Sequence, residues 1–299
     1  MVSLRLKWLH QAQFAGYYLA QDLGHYRDEE LDVDICPGGP DTDPETLVAN
    51  GGADFAQAGG LESLLAARDA GLPVVAIGAI FQRIDVAFIA KREAGITMWS
   101  DFAGRKVSTW HTGVHLILRA LLRREGVDPK SIIEIPQGES MLPFLHGEVS
   151  VAAATFFNQL PELRRQGLTD LVIFDPADYG VIFPRDVIIT SEKMITDQPD
   201  VVRRFLQASL RGWKHAIDHK SDAIAAVMRR DPMLDRRHQA VMMSEISKLM
   251  LWGPGTARGL GCIAPATVRA AHDFLLQHGQ IGKRIDLERA CTMRFWQRV

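Results

Sequence analysis

The sequence predicts a two-lobed α/β protein with a ligand cleft between the lobes, each lobe a mainly parallel sheet flanked by helices. Three observations carry this reading. Short β-type runs alternate with amphipathic helical stretches through the first two thirds of the 299 residues, the pattern of a parallel sheet covered on both faces. The alternation comes as two separate series. After Gln198 it gives way to long helical patterns, which must pack on sheet already made.

In the first series, strands are expected at Leu4–Trp8, Asp32–Cys36, Asp54–Gln57, Val74–Ile80 and Val86–Ala90. Helices are expected at Gly16–Leu23, Thr42–Asn50 and Leu61–Ala70, closing near Gly24, Gly51 and Gly71 as helix C-termini do. The second series holds strands at Lys106–Thr109, Ile132–Ile135, Val149–Ala154 and Leu171–Phe174, followed by Val187–Thr190. The late helical patterns lie at Val201–Asp218, Asp222–Arg229, Asp235–Leu251 and Ala266–Gln277. These elements divide the chain into a discontinuous lobe, residues 1–90 and 187–299, and an inserted lobe, residues 91–186. Two crossing segments near 91 and 186 then form a hinge. Ligands of open α/β sheets bind beyond the carboxyl ends of the strands, so two facing sheets place the site at the junction.

Lys plus Arg total 34 against 36 Asp plus Glu, so no strong field recruits nucleic acid or an acidic membrane surface. The expected partner is a small molecule, and the expected state a monomer. Cys36, Cys262 and Cys291 are widely spaced and odd in number, which fits packing residues better than a disulfide framework. The ten histidines include no HExxH or HxH, no GxSxG surrounds a serine, and no CxxC occurs. Neither a metal, a cofactor nor a catalytic set is therefore expected; His10 and His111 are the two candidates for acid–base work, each read first as a packing or hydrogen-bonding residue. Arginine pairs such as Arg123–Arg124 read as solvated helix faces. No run is long and apolar enough to span a bilayer. The start MVSLRLKWLHQAQF enters a strand pattern directly, so the chain as written is expected in the cytoplasm; with a leader removed it would be periplasmic or anchored outside the membrane.

The stretch KWLHQAQFAGYYLAQDLGHY crowds amphipathic rings and amides around a strand end and a helix start. Free N–H groups beside flat aromatic faces suit a planar heteroaromatic with polar edges. Trp8, Gln11, Gln13, Phe14 and Tyr17 are its candidate cleft residues, with Trp8, Gln13 and Tyr17 foremost and Tyr18 assigned to the core. Gly59 and Gly60 follow a strand and precede a helix, which suits close approach of backbone to a ligand; Glu62, one turn on, either answers the helix dipole or meets the ligand. Trp110, His111 and Thr112 repeat the arrangement in the second lobe, Thr112 being a contact or an N-cap. Asn158, at another strand end, either caps the helix that follows or faces the cleft.

The runs WLHQAQFAGYYLAQDLGHY, LVANGGADFAQAGGLESLLAARDAGLPVVAIGAI, DFAGRKVSTW and DQPDVVRRFLQASLRGWKHAID resemble, in order and over nearly the whole chain, the substrate-binding proteins of ABC importers. The similarity is to the branch that handles sulfonates, nitrate and thiamine-precursor pyrimidines. It implies the type II periplasmic-binding-protein fold, hinge closure on a small heteroaromatic ligand, and permease and ATPase partners. Thiamine pyrimidine synthases share that fold and need a pyridoxal-bearing lysine with a histidine four positions later. Here Ala58 and Glu62 stand in those places, and both the CCCFC motif and the Gly-rich phosphate loop are missing. A cytosolic enzyme of thiamine pyrimidine synthesis is the alternative reading, and a metabolite sensor a further one. Anion binders would need a cleft arginine, for which Arg83 is the one candidate.

Overall fold

The computed structural model describes residues 1–253 and 257–299. Its ten strands are β1 (Val2–Arg5), β2 (Val33–Cys36), β3 (Phe55–Gln57), β4 (Val74–Phe81), β5 (Val86–Lys91), β6 (Lys106–Thr109), β7 (Ile133–Pro136), β8 (Val151–Thr155), β9 (Leu171–Phe174) and β10 (Arg185–Ser191). They form two sheets of five, in the orders β2-β1-β3-β10-β4 and β7-β6-β8-β5-β9. In each sheet one strand runs against the rest: β10 is antiparallel to β3 and β4, and β5 is antiparallel to β8 and β9. Those two are the strands that arrive from the opposite lobe.

One strand changes lobes relative to expectation. Val86–Lys91, expected to close the first lobe, pairs with β8 and β9 of the second sheet, so the first crossing falls at residues 82–85. Its run VAFIAK is apolar on both faces. Such a run announces a central strand without saying which sheet receives it.

The helices are α1 (Ala15–Asp22), α2 (His25–Asp28), α3 (Pro44–Ala49), α4 (Leu61–Asp69), α5 (Val114–Arg124), α6 (Leu142–Leu145), α7 (Gln159–Arg165), α8 (Glu192–Asp197), α9 (Pro199–Asp218), α10 (Lys220–Arg230), α11 (Arg236–Met250), α12 (Pro265–Gln277) and α13 (Leu287–Ala290). Asp43 caps α3 by accepting from Thr46 N at 2.9 Å, with Pro44 at the first helical position. Asp235 caps α11 through the amides of Arg237 and His238. The long α9 crosses α1 at a glycine contact. A methyl group on Gly212 would lie 2.1 Å from Gly16 O, and one on Gly16 would lie 2.1 Å from the Trp213 ring. Only glycine at both positions lets the fully buried Trp213 slot between the backbones.

The late helices were expected to rejoin the first lobe, and α9, α10 and α11 do pack there, against α1 and β4. Helix α12 instead packs against both α4 and α5, one from each lobe. Beyond its end, Arg123 Nη1 of α5 donates to His278 O at 2.7 Å, and Asp69 of α4 accepts from Gly282 N at 2.9 Å. The chain thus straps the lobes together on the side where those helices lie. Among the described residues no helix is long and apolar enough to cross a membrane.

Candidate functional site

The strand β1 ends at Arg5, three residues earlier than expected, because the alternation that buries Leu4 and Leu6 continues past the sheet's hydrogen bonds. Lys7 and Trp8 therefore stand beyond the strand end. The loop is held by Gly38 N, which donates to Trp8 O at 2.9 Å; a methyl group on Gly38 would meet Leu6 O at 2.2 Å. From the other sheet, β6 delivers Trp110 to the same gap. The two indoles meet edge to face, with ring centroids 6.3 Å apart and planes at 75°.

Beside them lies a narrow cleft with about 50 Å³ of water-accessible space, lined by Lys7, Trp8, Gln11, Gln13, Asp85, Val86, Trp110, Thr112, Val114, Thr155, Phe157, Asn158, Gln159 and Arg185. Both crossing segments contribute to it. So do the residues beyond the ends of β1, β6 and β8, the position where α/β sheets hold ligands.

An amide chain joins the lobes along this wall. Gln11 Nε2 donates to Gln13 Oε1 at 2.7 Å, Asn158 Nδ2 donates to Gln11 Oε1 at 3.3 Å, and His238 Nε2 donates to Asn158 Oδ1 at 2.8 Å. Burial lowers the pKa of His238. Asn158 sits at the N-cap position of α7 without capping it, so of its two expected roles the cleft-facing one is observed.

A largely buried charge cluster forms part of the cleft wall, through Lys7, Asp85 and Arg185. Arg185 donates through Nε to Glu62 Oε1 at 2.9 Å and through Nη1 to Asp85 Oδ1 at 2.6 Å. Its neighbour Asp186 is fully buried at φ 53° and accepts from Lys7 Nζ, from Gln13 Nε2 at 2.8 Å and from Gln57 Nε2 at 2.9 Å. A left-handed conformation at a non-glycine residue is strained and persists only where surroundings fix it; here three donors do so. Burial pushes the Asp186 carboxyl up to about 6, with Lys7 pulling it back and Asp85 adding to the rise. Three carboxylates thus face two cations, and both cations are matched.

Of the twelve residues expected at the site, Trp8, Gln11, Gln13, Trp110, Thr112 and Asn158 line the cleft. Six do not. Phe14 and Tyr17 are fully buried in one core cluster, where the first helix turn brings Tyr17 edge to face onto Trp213 of α9 at 5.6 Å. Tyr18 is in the core as expected, although its hydroxyl also reaches His10 Nδ1 at 2.7 Å. Gly59 and Gly60 serve close packing: a methyl on Gly59 would lie 2.5 Å from Thr112 O, and one on Gly60 would lie 2.3 Å from Glu62 Oε2. Glu62 is wholly buried as the partner of Arg185. His111 faces outward, 2.8 Å from Glu134, and lines a separate groove with His115 and Glu45. Arg83 is held by Asp175 at 2.5 Å, away from the cleft lining.

Sequence reasoning missed Lys7, Asp85, Arg185 and Asp186. The nearest hint is FPRDVIIT, where an Arg–Asp pair opens an apolar strand, but such a pair reads as surface until its partners are known, and Lys7 and Asp85 carry no comparable hint.

The comparisons with known proteins agree with this architecture. A family model described as NMT1/THI5 like matches residues 11–223. The chain is 25% identical to the riboflavin-binding protein RibY of Chloroflexus aurantiacus over 98% of this chain and 85% of that one. It is 27% identical to a formylaminopyrimidine-binding protein of Halalkalibacterium halodurans, over 76% and 69%. A 4-amino-5-hydroxymethyl-2-methylpyrimidine phosphate synthase of Legionella pneumophila is 25% identical over 78% and 74%. In structure, the alkanesulfonate-binding protein SsuA of Xanthomonas axonopodis superposes with TM-score 0.69 at 14% identity, covering 98% of each chain. A Candida albicans protein with the generic periplasmic binding protein fold superposes with TM-score 0.71 at 16% identity, over 98% and 96%. The two-lobed periplasmic-binding-protein fold expected from the sequence is the fold observed.

Proposed function

The chain belongs to the NMT1/THI5-like family, and on that premise we propose that it captures a small heteroaromatic ligand between its lobes and hands it to the permease and ATPase of an ABC importer. The observation that carries the reading is the Trp8–Trp110 pair, one indole from each lobe in the lining of an amide-rich cleft. Paired indoles offer flat faces to a ring, and Gln11, Thr112 and Asn158 offer edges that donate and accept. A pyrimidine of the thiamine-precursor type fits that chemistry. A sulfonate fits it less well, because Arg185 and Lys7 already have carboxylate partners and Arg83 lies elsewhere. That role is carried out on the outer side of the cytoplasmic membrane.

Synthase-named relatives favour a second reading, an enzyme of pyrimidine synthesis on the same fold. Against it, Ala58 is fully buried and Glu62 is committed to Arg185, where the resemblance would require a lysine and a histidine. One experiment separates the two. Purified protein is screened by thermal shift against formylaminopyrimidine, riboflavin and an alkanesulfonate, and separately incubated with pyridoxal phosphate and dialysed. Binding predicts that a heteroaromatic raises the melting temperature through linkage and that no cofactor absorbance remains. A retained cofactor band would transfer the argument to the synthase. A shift with the sulfonate alone would remove the heteroaromatic.

A further inference from the structure

A cluster of ligating side chains lies away from the cleft, where α9 turns into α10. We propose that His215, His219 and Asp222 form a binding site for a borderline transition-metal ion of the Zn²⁺ or Ni²⁺ class. His219 is the break between the two helices, at φ −128° and ψ 68°, closing α9 through His219 N to His215 O at 2.7 Å and opening α10 through Asp222 N to His219 O at 3.0 Å, so the last turn of one helix and the first turn of the next bring the three together. The imidazoles lie with centroids 4.3 Å apart, and His215 Nε2 is 3.0 Å from Asp222 Oδ2. One donor atom from each residue falls within 4.8 Å of the other two. Small side-chain rotations bring such a set to the roughly 2.0–2.2 Å at which imidazole nitrogen and carboxylate oxygen bind zinc.

The donor chemistry selects the ion. Two imidazoles and one carboxylate suit Zn²⁺, Ni²⁺ and Cu²⁺, whereas Mg²⁺ and Ca²⁺ prefer all-oxygen shells. Both His219 and Asp222 are exposed, which leaves water to complete the shell. On the facing helix α2, His25 comes within electrostatic reach of His215, and Arg211 of α9 and Asp28 in turn act on His25. Without a metal the same residues amount to a His215–Asp222 pair clipping two helices. That simpler role predicts no metal response at all.

The chain carries a second histidine pair at the same spacing, His111 and His115, and the test must tell the two apart. Untagged full-length protein is titrated calorimetrically with ZnCl₂, NiCl₂ and MgCl₂ at pH 7.5 in a non-chelating buffer. The expected result is one Zn²⁺ or Ni²⁺ per chain, no Mg²⁺ heat, and a rise in melting temperature with Zn²⁺. His215→Ala/His219→Ala should weaken Zn²⁺ binding at least tenfold, Asp222→Asn should weaken it measurably, and His111→Ala should leave it unchanged. Circular dichroism of each metal-free variant checks that the fold is kept. Retention of the untagged protein on immobilised Ni²⁺, lost in the double variant, gives an independent readout. Absent Zn²⁺ binding, unaltered affinity in the double variant, or loss that follows His111→Ala would each overturn the site.

Discussion

Trp8 and Trp110 come from different sheets and meet edge to face at 6.3 Å, so this aromatic contact bridges the lobes at the cleft, alongside the bond from Asn158 to Gln11. Trp110 is almost fully buried, and its Nε1 donates to Gly138 O at 3.1 Å, which fixes its ring while Trp8 keeps partial exposure. A ligand ring stacked here would lose both its packing and its cover when either indole is cut. Trp8→Ala and Trp110→Ala should therefore each weaken ligand binding about ten- to a hundredfold, measured by calorimetry with whichever compound the thermal screen selects. Wild-type affinity in both variants would remove the indoles from the site.

Much of the fold was legible because periodicity and caps agree. Pro199–Asp218, Arg236–Met250 and Pro265–Gln277 fall within two residues of the expected helices, each with an apolar stripe and two of them with proline at the start. What stayed hidden depends on partners far along the chain. Nothing local says that Val86–Lys91 pairs with β8 and β9, that Tyr17 meets Trp213, or that Arg185 reaches Glu62 across 123 positions. The cleft tryptophans and amides could be read because their chemistry is unusual at strand ends. The charges beside them could not, since an Arg–Asp dipeptide reads as surface until its neighbours are known.

Arg185 is the shared cation of Glu62 and Asp85, and the three side chains are 3%, 0% and 1% exposed. Removing one member of a buried ion set leaves charge without compensation, a loss of about 3–5 kcal/mol. Arg185→Met should thus cost about that much in urea unfolding. Arg185→Met/Glu62→Gln/Asp85→Asn should recover most of it, because the uncompensated charges go with the arginine. A triple variant no more stable than the single one would mean that Arg185 acts through packing alone.

Gly212 marks the point where α9 crosses α1, and its absent methyl would lie 2.1 Å from Gly16 O and 2.7 Å from Ala20 N. Both obstacles are backbone or tightly held, so the helices must move apart and uncover Trp213. Gly212→Ala should cost about 3 kcal/mol or more, or prevent accumulation of folded protein. Gly39→Ala is the matched control, since the nearest atom to its added methyl is Leu9 Cδ2 at 4.0 Å. Equal stabilities for the two variants would contradict the close crossing.

Glu45 lies in the first turn of α3, buried, with its Oε1 lacking a hydrogen-bond partner. Burial pushes its carboxyl up to about 7, and a bond from Ser63 restrains the rise. The folded chain then holds this proton more tightly than the unfolded chain, whose glutamate titrates near 4.3. Between those values the folded state binds more protons, so this residue's contribution to stability falls as pH rises from about 4.3 to about 7 and is level above. The penalty at pH 8 is on the order of 3–4 kcal/mol. Glu45→Gln keeps the shape without an ionisable proton, so it should raise stability at pH 8 and leave it little changed at pH 4.5. Urea unfolding of both proteins at several pH values reads the difference directly. A gap between them that did not widen with pH over this interval would show that the carboxyl finds solvent or a cation in solution.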